Sequence, residues 1–154
     1  MLKYALIGTV IVTVTIIIHA IGTLSLVREL GRRYADKEGD FRSSDPLRVL
    51  IGIVLVFFAL HTIEIIVWAC VYWFLLPSNS MGSFEEATYF SFITFTTLGY
   101  GDITLSQGWR LLGAIESLNG MILVGLTTAM LFAILSRMWR GIVKHNQMQT
   151  GWSV

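Results

Sequence analysis

The chain has 154 residues, 55% of them hydrophobic and 14% charged, where soluble globular domains average about 25% charged. That apolar surplus exceeds what one small water-soluble core can hide, which argues against a soluble enzyme and makes a bilayer the expected solvent. Eleven Lys and Arg against ten Asp and Glu leave a net charge of +1, with no broad basic face for nucleic acid, and the single cysteine, Cys70, permits neither an intrachain disulfide nor a thiolate metal framework.

From Tyr4 to Val27 the sequence runs 24 residues without a formal charge. As a helix this is about 36 Å long, enough to cross a hydrocarbon core of about 30 Å. The run is too long for a cleaved leader, only Lys3 precedes it, and no small-residue cleavage site closes it, so 1–27 is expected to be a transmembrane helix. Residues 28–48 carry six basic and five acidic side chains and read as a solvated cytoplasmic loop with affinity for anionic lipid headgroups. A second span is expected over 49–76, interrupted only by His61, Thr62 and Glu64. Ser44 and Asp45 are its cap candidates, Pro46 a first-turn proline, and Pro77 its stop.

The next apolar stretch, Phe84 to Phe95, has 12 residues, too few to cross and a suitable length for a re-entrant helix over 84–96. Ser83 followed by Glu86 reads as a capping box, and Glu85 and Glu86 both suit the positive end of the helix dipole. A third span is expected over 110–138, rich in Gly, Ala and Thr and carrying one carboxylate, Glu116, with 141–154 as a short cytoplasmic tail. The fold class is therefore an all-α membrane protein.

Basic residues cluster after the first span (Arg28, Arg32, Arg33, Lys37, Arg42, Arg48) and after the third (Arg137, Arg140, Lys144), whereas the segment around the short helix has only Arg110. By the positive-inside rule the N-terminus faces out, the C-terminus is cytoplasmic and the short helix enters from outside. Trp68, Tyr72, Trp73 and Trp109 are expected to form an outer interfacial belt, with Trp139 at the inner face, the alternative being ordinary packing aromatics.

Directly after the short helix stands Thr96-Thr97-Leu98-Gly99-Tyr100-Gly101-Asp102. Irregular backbone at membrane depth is tolerated only where protein buries it or it lines a water-filled path, and the two glycines free the chain to turn its carbonyls toward a common axis while Tyr100 packs away. The segment resembles the selectivity filter of potassium channels, and the resemblance extends from about Val49 to Arg140: an outer helix, a pore helix, the filter at 97–102, and an inner helix with glycines at 120 and 125. The pattern Tyr-Phe-Ser-Phe-Ile-Thr-Phe-Thr-Thr is most similar to two-pore-domain channels and small prokaryotic relatives, yet one filter is present, so the resemblance implies a homotetramer around one pore.

It implies further that Thr97, Leu98, Gly99 and Tyr100 offer carbonyl oxygens to K+, that the Thr97 hydroxyl forms the innermost site, and that Gly101 and Asp102, with Thr94 and Thr96, support the filter. Leu98 stands where Val or Ile is usual. Ile93 stands where some relatives have a glutamate braced against the outer aspartate, so Glu116, which shares a helix face with Asn119 and Gly120, is expected to hydrogen-bond near Thr94, Thr96 or Tyr100 instead. On the other face Met121, Val124, Thr128, Phe132 and Leu135 form one stripe, which by resemblance lines the cavity and closes it at Phe132 or Leu135, or else is the seam between inner helices. Gly120 and Gly125 are candidate hinges or close-packing sites. Glu85, Glu86 and Asp102, opposed only by Arg110, would repeat fourfold into an anionic outer vestibule.

A rival reading rests on His61, Glu64 and Glu116, with His19: imidazoles and carboxylates suit zinc, iron or manganese, as in a membrane metal-binding protein or carrier. Helical rise opposes co-planarity, placing Glu64 about 24 Å above Arg48 and Glu116 about 33 Å above Met138, so an internal bond from Glu64 to His61 or Asn119 is the simpler expectation. The first span lacks the intramembrane basic residues of a voltage sensor and reads as an accessory packing helix, with His19 a buried polar contact. The sequence thus points to a non-enzymatic, potassium-selective channel of the plasma membrane, in contact with lipids and with no cofactor, nucleic acid or identified protein partner. A weakly selective monovalent cation channel is the nearest alternative.

Overall fold

The computed structural model describes residues 2–35, 39–41, 45–76 and 81–150, the stretch 145–150 by backbone alone. Four helices follow in order: α1 (Leu2–Tyr34), α2 (Pro46–Leu75), α3 (Phe84–Phe95) and α4 (Arg110–Thr150). Three of them, α1, α2 and α4, are long and apolar enough to cross a membrane. The described residues contain no strand beyond one isolated bridge, Ala35 to Phe41. The chain is an all-α membrane protein, as expected from composition.

Helix boundaries differ from the sequence expectation mainly on the charged side. The loop expected at 28–48 begins as helix, because α1 continues to Tyr34; Glu29 pairs with Arg32 at 2.9 Å, three residues on, and with Arg33, four residues on, which suits helical rather than loop geometry. The tail expected from 141 is likewise helical, α4 running to Thr150 without a break at Gly120 or Gly125. Of the expected start of α2, Asp45 does cap, accepting from the Arg48 backbone N–H at 3.1 Å, and Pro46 is the first helical residue. Ser44 and Pro77, like Lys37 and Arg42, lie outside the described residues.

The described residues fall into two compact units. The first comprises 2–20 with 59–125. Its core joins Ile11 of α1, Ile65, Trp68 and Tyr72 of α2, Ala87, Phe90 and Phe95 of α3, and Leu112 and Leu123 of α4. Trp68 and Tyr72 are fully buried, with the Tyr72 ring edge-on to Phe90 at 5.0 Å. These two are therefore core residues and not part of an interfacial belt; Trp73, at 41% exposure, and Trp139, at 68%, remain on the surface. In lipid, helices gain little from apolar transfer and associate through close packing and polar bridges. Both devices are present: Gly8 admits the Ile115 and Leu112 side chains, and the Asn119 amide donates to Thr15 Oγ1 at 2.9 Å.

The second unit comprises the described residues of 21–58 and 126–150. Here Phe41 is tied to α4. Its backbone N–H donates to the Arg137 carbonyl, the Arg137 guanidinium lies 5.8 Å over its ring, and its own carbonyl passes so close to Gly141 that a Cβ there would overlap it. Beside it, Asp40 accepts from Lys144 Nζ at 2.6 Å and Arg140 Nε at 2.9 Å. The Lys144 ammonium first, and the Arg140 guanidinium second, hold the Asp40 carboxyl below the usual carboxylate range.

Candidate functional site

The short helix α3 starts and stops on local chemistry. Ser83, extended at φ −156°, caps it by accepting from Glu86 N at 3.1 Å. Glu86 returns the bond one residue earlier than a standard capping box, accepting from Gly82 N at 2.7 Å. At the other end Thr96 closes the helix: its N–H and its hydroxyl both donate to the Phe92 carbonyl, at 3.1 and 2.6 Å.

The backbone beyond Thr96 changes hand at alternate residues. Thr97 has φ +61°, Gly99 φ +56° and Gly101 φ +80°, while Leu98 and Tyr100 stay on the ordinary side. Glycine adopts positive φ freely, but Thr97 is the one non-glycine residue to do so among those described, and for a β-branched side chain it is a strained conformation. Local bonds hold it there. Thr97 N donates to the Thr94 carbonyl and Gly99 N to the Ile93 carbonyl, both at 3.0 Å. Of residues 96–102 Leu98 is 56% and Tyr100 70% exposed on the single chain, and the others are exposed as well.

Asp102, which the sequence left without a brace, has one. The Tyr89 phenol donates to Asp102 Oδ2 at 2.8 Å, and bonding to that carboxylate raises the phenol above its ordinary pKa. Tyr89 opens the aromatic pattern of the short helix, but its pairing with Asp102 is not legible in the sequence, because it spans 13 residues and depends on the turn between them. Ile93, at the position where a bracing glutamate would stand, is buried.

Glu116 is fully buried, but its partners are not Thr94, Thr96 or Tyr100. Tyr72 Oη donates to Oε2 at 2.6 Å, Ser91 Oγ contacts Oε1, and Ser91 Oγ also lies 3.0 Å from the Ile65 carbonyl. The carboxyl thus sits between α2 and α3, one turn behind the end of α3. The residue that reaches the C-terminal end of α3 is its neighbour Ser117, whose hydroxyl donates to the Thr94 carbonyl at 2.9 Å. Gly120, on the same face, meets the Phe95 carbonyl so closely that a Cβ would overlap it, which makes it a packing site. A Cβ at Gly125 would meet nothing. Met121, Val124, Thr128, Phe132 and Leu135 are all exposed on the chain, Phe132 at 73%.

The rival polar group divides. Glu116 belongs with Tyr72 and Ser91, whereas His19, His61 and Glu64 form a separate cluster. His19 Nδ1 lies 2.9 Å from Glu64 Oε1 and His61 Nδ1 2.8 Å from Oε2. Glu64 therefore bonds His61, one of its two expected partners, and not Asn119, which bonds Thr15. A charged side chain at mid-bilayer costs about 2.5–3.5 kcal/mol on insertion scales, which such bonds offset.

The sequence model of an ion channel family matches residues 60–137, a stretch that runs from mid-α2 through α3 and the irregular segment into α4. No curated protein and no solved structure gave a significant match. The matched stretch covers half the chain and contains the whole α3-to-α4 arrangement described above. The chain belongs to this ion channel family.

Proposed function

We propose that the protein is a potassium-selective channel in which four copies of residues 97–100 surround one axis and replace the hydration shell of K+ with the carbonyls of Thr97, Leu98, Gly99 and Tyr100. The observation that carries this reading is the alternation of backbone hand at 97, 99 and 101. Along an extended strand successive carbonyls point to opposite sides; reversing φ at every second residue turns them to the same side, which is what a carbonyl-lined ion path requires. Exposure of the same residues, together with Met121, Val124 and Phe132, on a lone chain fits a surface that faces an axis and neighbouring copies. Asp102 and its Tyr89 donor, the Ser117 bond to Thr94 and the Phe95 to Gly120 contact support the segment from behind.

On this reading the protein lies in the plasma membrane with its N-terminus outside, conducts passively, and has no covalent chemistry. The test is potassium flux into liposomes carrying the purified full chain. An alanine in the left-handed region costs about 1–2 kcal/mol per residue, and a ring of four multiplies the effect. Gly99→Ala is expected to abolish flux while Gly52→Ala, where a Cβ has open space, leaves it unchanged. A Gly99→Ala protein that carries potassium like the wild type would remove the filter from this segment.

A further inference from the structure

Two of the three histidines in the sequence converge on one buried carboxylate, and the channel reading uses none of these three groups. His19 lies on α1, His61 and Glu64 on α2, and one ligand atom from each falls within 4.8 Å of the others. The imidazoles take one carboxylate oxygen apiece through Nδ1, and the two rings stack at 5.4 Å. One histidine would suffice to offset a buried glutamate; two, bonded to separate oxygens, make a ligand set of two imidazoles and one carboxylate.

We infer that His19, His61 and Glu64 form a binding site for a divalent transition-metal ion of the zinc class, which on binding ties α1 to α2. Zinc bonds to imidazole nitrogen and carboxylate oxygen are about 2.0–2.1 Å long, so ligand atoms at right angles stand about 2.9 Å apart and tetrahedral ones about 3.3 Å apart. Each imidazole nitrogen stands 2.9 or 2.8 Å from a Glu64 oxygen, close to the spacing of two zinc ligands, and the three ligand atoms all lie within 4.8 Å of one another. The donor set is borderline-soft nitrogen with one oxygen, which favours zinc, cobalt or iron over magnesium or calcium. Each imidazole must present a bare Nδ1, which places its proton on Nε2. Glu64 and His19 are almost wholly enclosed, and the His61 side chain is 17% exposed.

The site is also connected to the matched channel segment. The His61 ring lies 5.9 Å from the Phe95 ring, and Phe95 is the last residue of α3, next to Thr96 and Thr97. Binding does not depend on the potassium reading, and the experiment below separates the two because it measures no current.

The test uses the full chain purified in detergent, stripped of metal with a chelator and titrated with Co2+, then Zn2+. The wild type is expected to bind one Co2+ per chain with visible ligand-field absorption, and Zn2+ to displace it. His19→Ala and His61→Ala each weaken binding by tenfold or more, in line with the about 10–100-fold losses that even outer-shell changes cause. His145→Ala, removing the remaining histidine, keeps the wild-type affinity. Should the variants fail to fold, X-ray absorption of the cobalt-loaded wild type decides alone, two imidazole ligands being the expected result. Absence of stoichiometric Co2+ or Zn2+ binding by the wild type, a spectrum without imidazole, or binding that survives both histidine substitutions together would overturn the site and leave a hydrogen-bonded trio.

Discussion

Gly120 and Gly125 look interchangeable in the sequence, and only the structure separates them. The Phe95 carbonyl fills the space a Cβ would need at Gly120, while Gly125 faces open space. Gly120→Ala is expected to cost about 1–3 kcal/mol, the usual range for overpacking, whereas Gly125→Ala, which removes a helix-weakening glycine, should be neutral or stabilising by about 0.5–1 kcal/mol. Thermal unfolding of the two variants in the same detergent checks the order, and equal melting points would refute it. Glu116 teaches a related lesson. Its burial is legible, since a lone carboxylate in an apolar span must face protein, but its partners are not. Tyr72 and Ser91 lie 44 and 25 residues away, and only the packing of α2 and α3 brings them to it. Tyr72→Phe leaves a buried oxygen without its donor and should destabilise by about 1–3 kcal/mol, read as a lowered unfolding midpoint; no change would show that Ser91 alone satisfies the carboxyl.

Among the elements, the short helix is the most legible and the ends of the long ones the least. Ser83, Glu86 and the 12-residue apolar run mark α3 in the sequence because capping is local chemistry. Ser83→Ala should cost about 1 kcal/mol, with the loss seen as faster hydrogen exchange over 84–88. The C-terminal extension of α4 is hidden from the sequence because what holds it is remote: Asp40 meets Arg140 and Lys144 a hundred residues on. Apolar periodicity says nothing about that bond. Because Lys144 and Arg140 lower the Asp40 pKa, its contribution is complete above the ordinary carboxylate value and is lost as pH falls through the lowered one. The melting-point gap between wild type and Asp40→Asn should thus be constant from neutral pH down to about 4 and close only in stronger acid. A gap that closes between about pH 7 and 5 would assign the bond to a group that titrates there, such as histidine.

For the chain as a whole, apolar composition foretells the membrane, and the glycine-tyrosine-glycine segment foretells the irregular backbone that follows α3. Aromatic position is a poor guide: Trp68 and Tyr72 sit near a span end, as belt residues do, yet both are fully buried in the core around α3. Near span ends, sequence distance does not distinguish a ring that faces lipid from one that faces a neighbouring helix. The backbone at 97–101 shows the opposite case. Gly99 and Gly101 announce backbone freedom, but the reversal at Thr97, which makes the alternation complete, belongs to a residue type that resists it and is imposed by the bonds to Ile93 and Thr94. Whether this alternating segment, in four copies, selects potassium is decided by reversal-potential recordings of the reconstituted wild-type protein, with potassium on one side of a planar bilayer and sodium on the other. Selection by the carbonyls of residues 97–100 displaces the reversal potential strongly in the direction that favours potassium; a reversal potential near zero under the same gradients would rule it out.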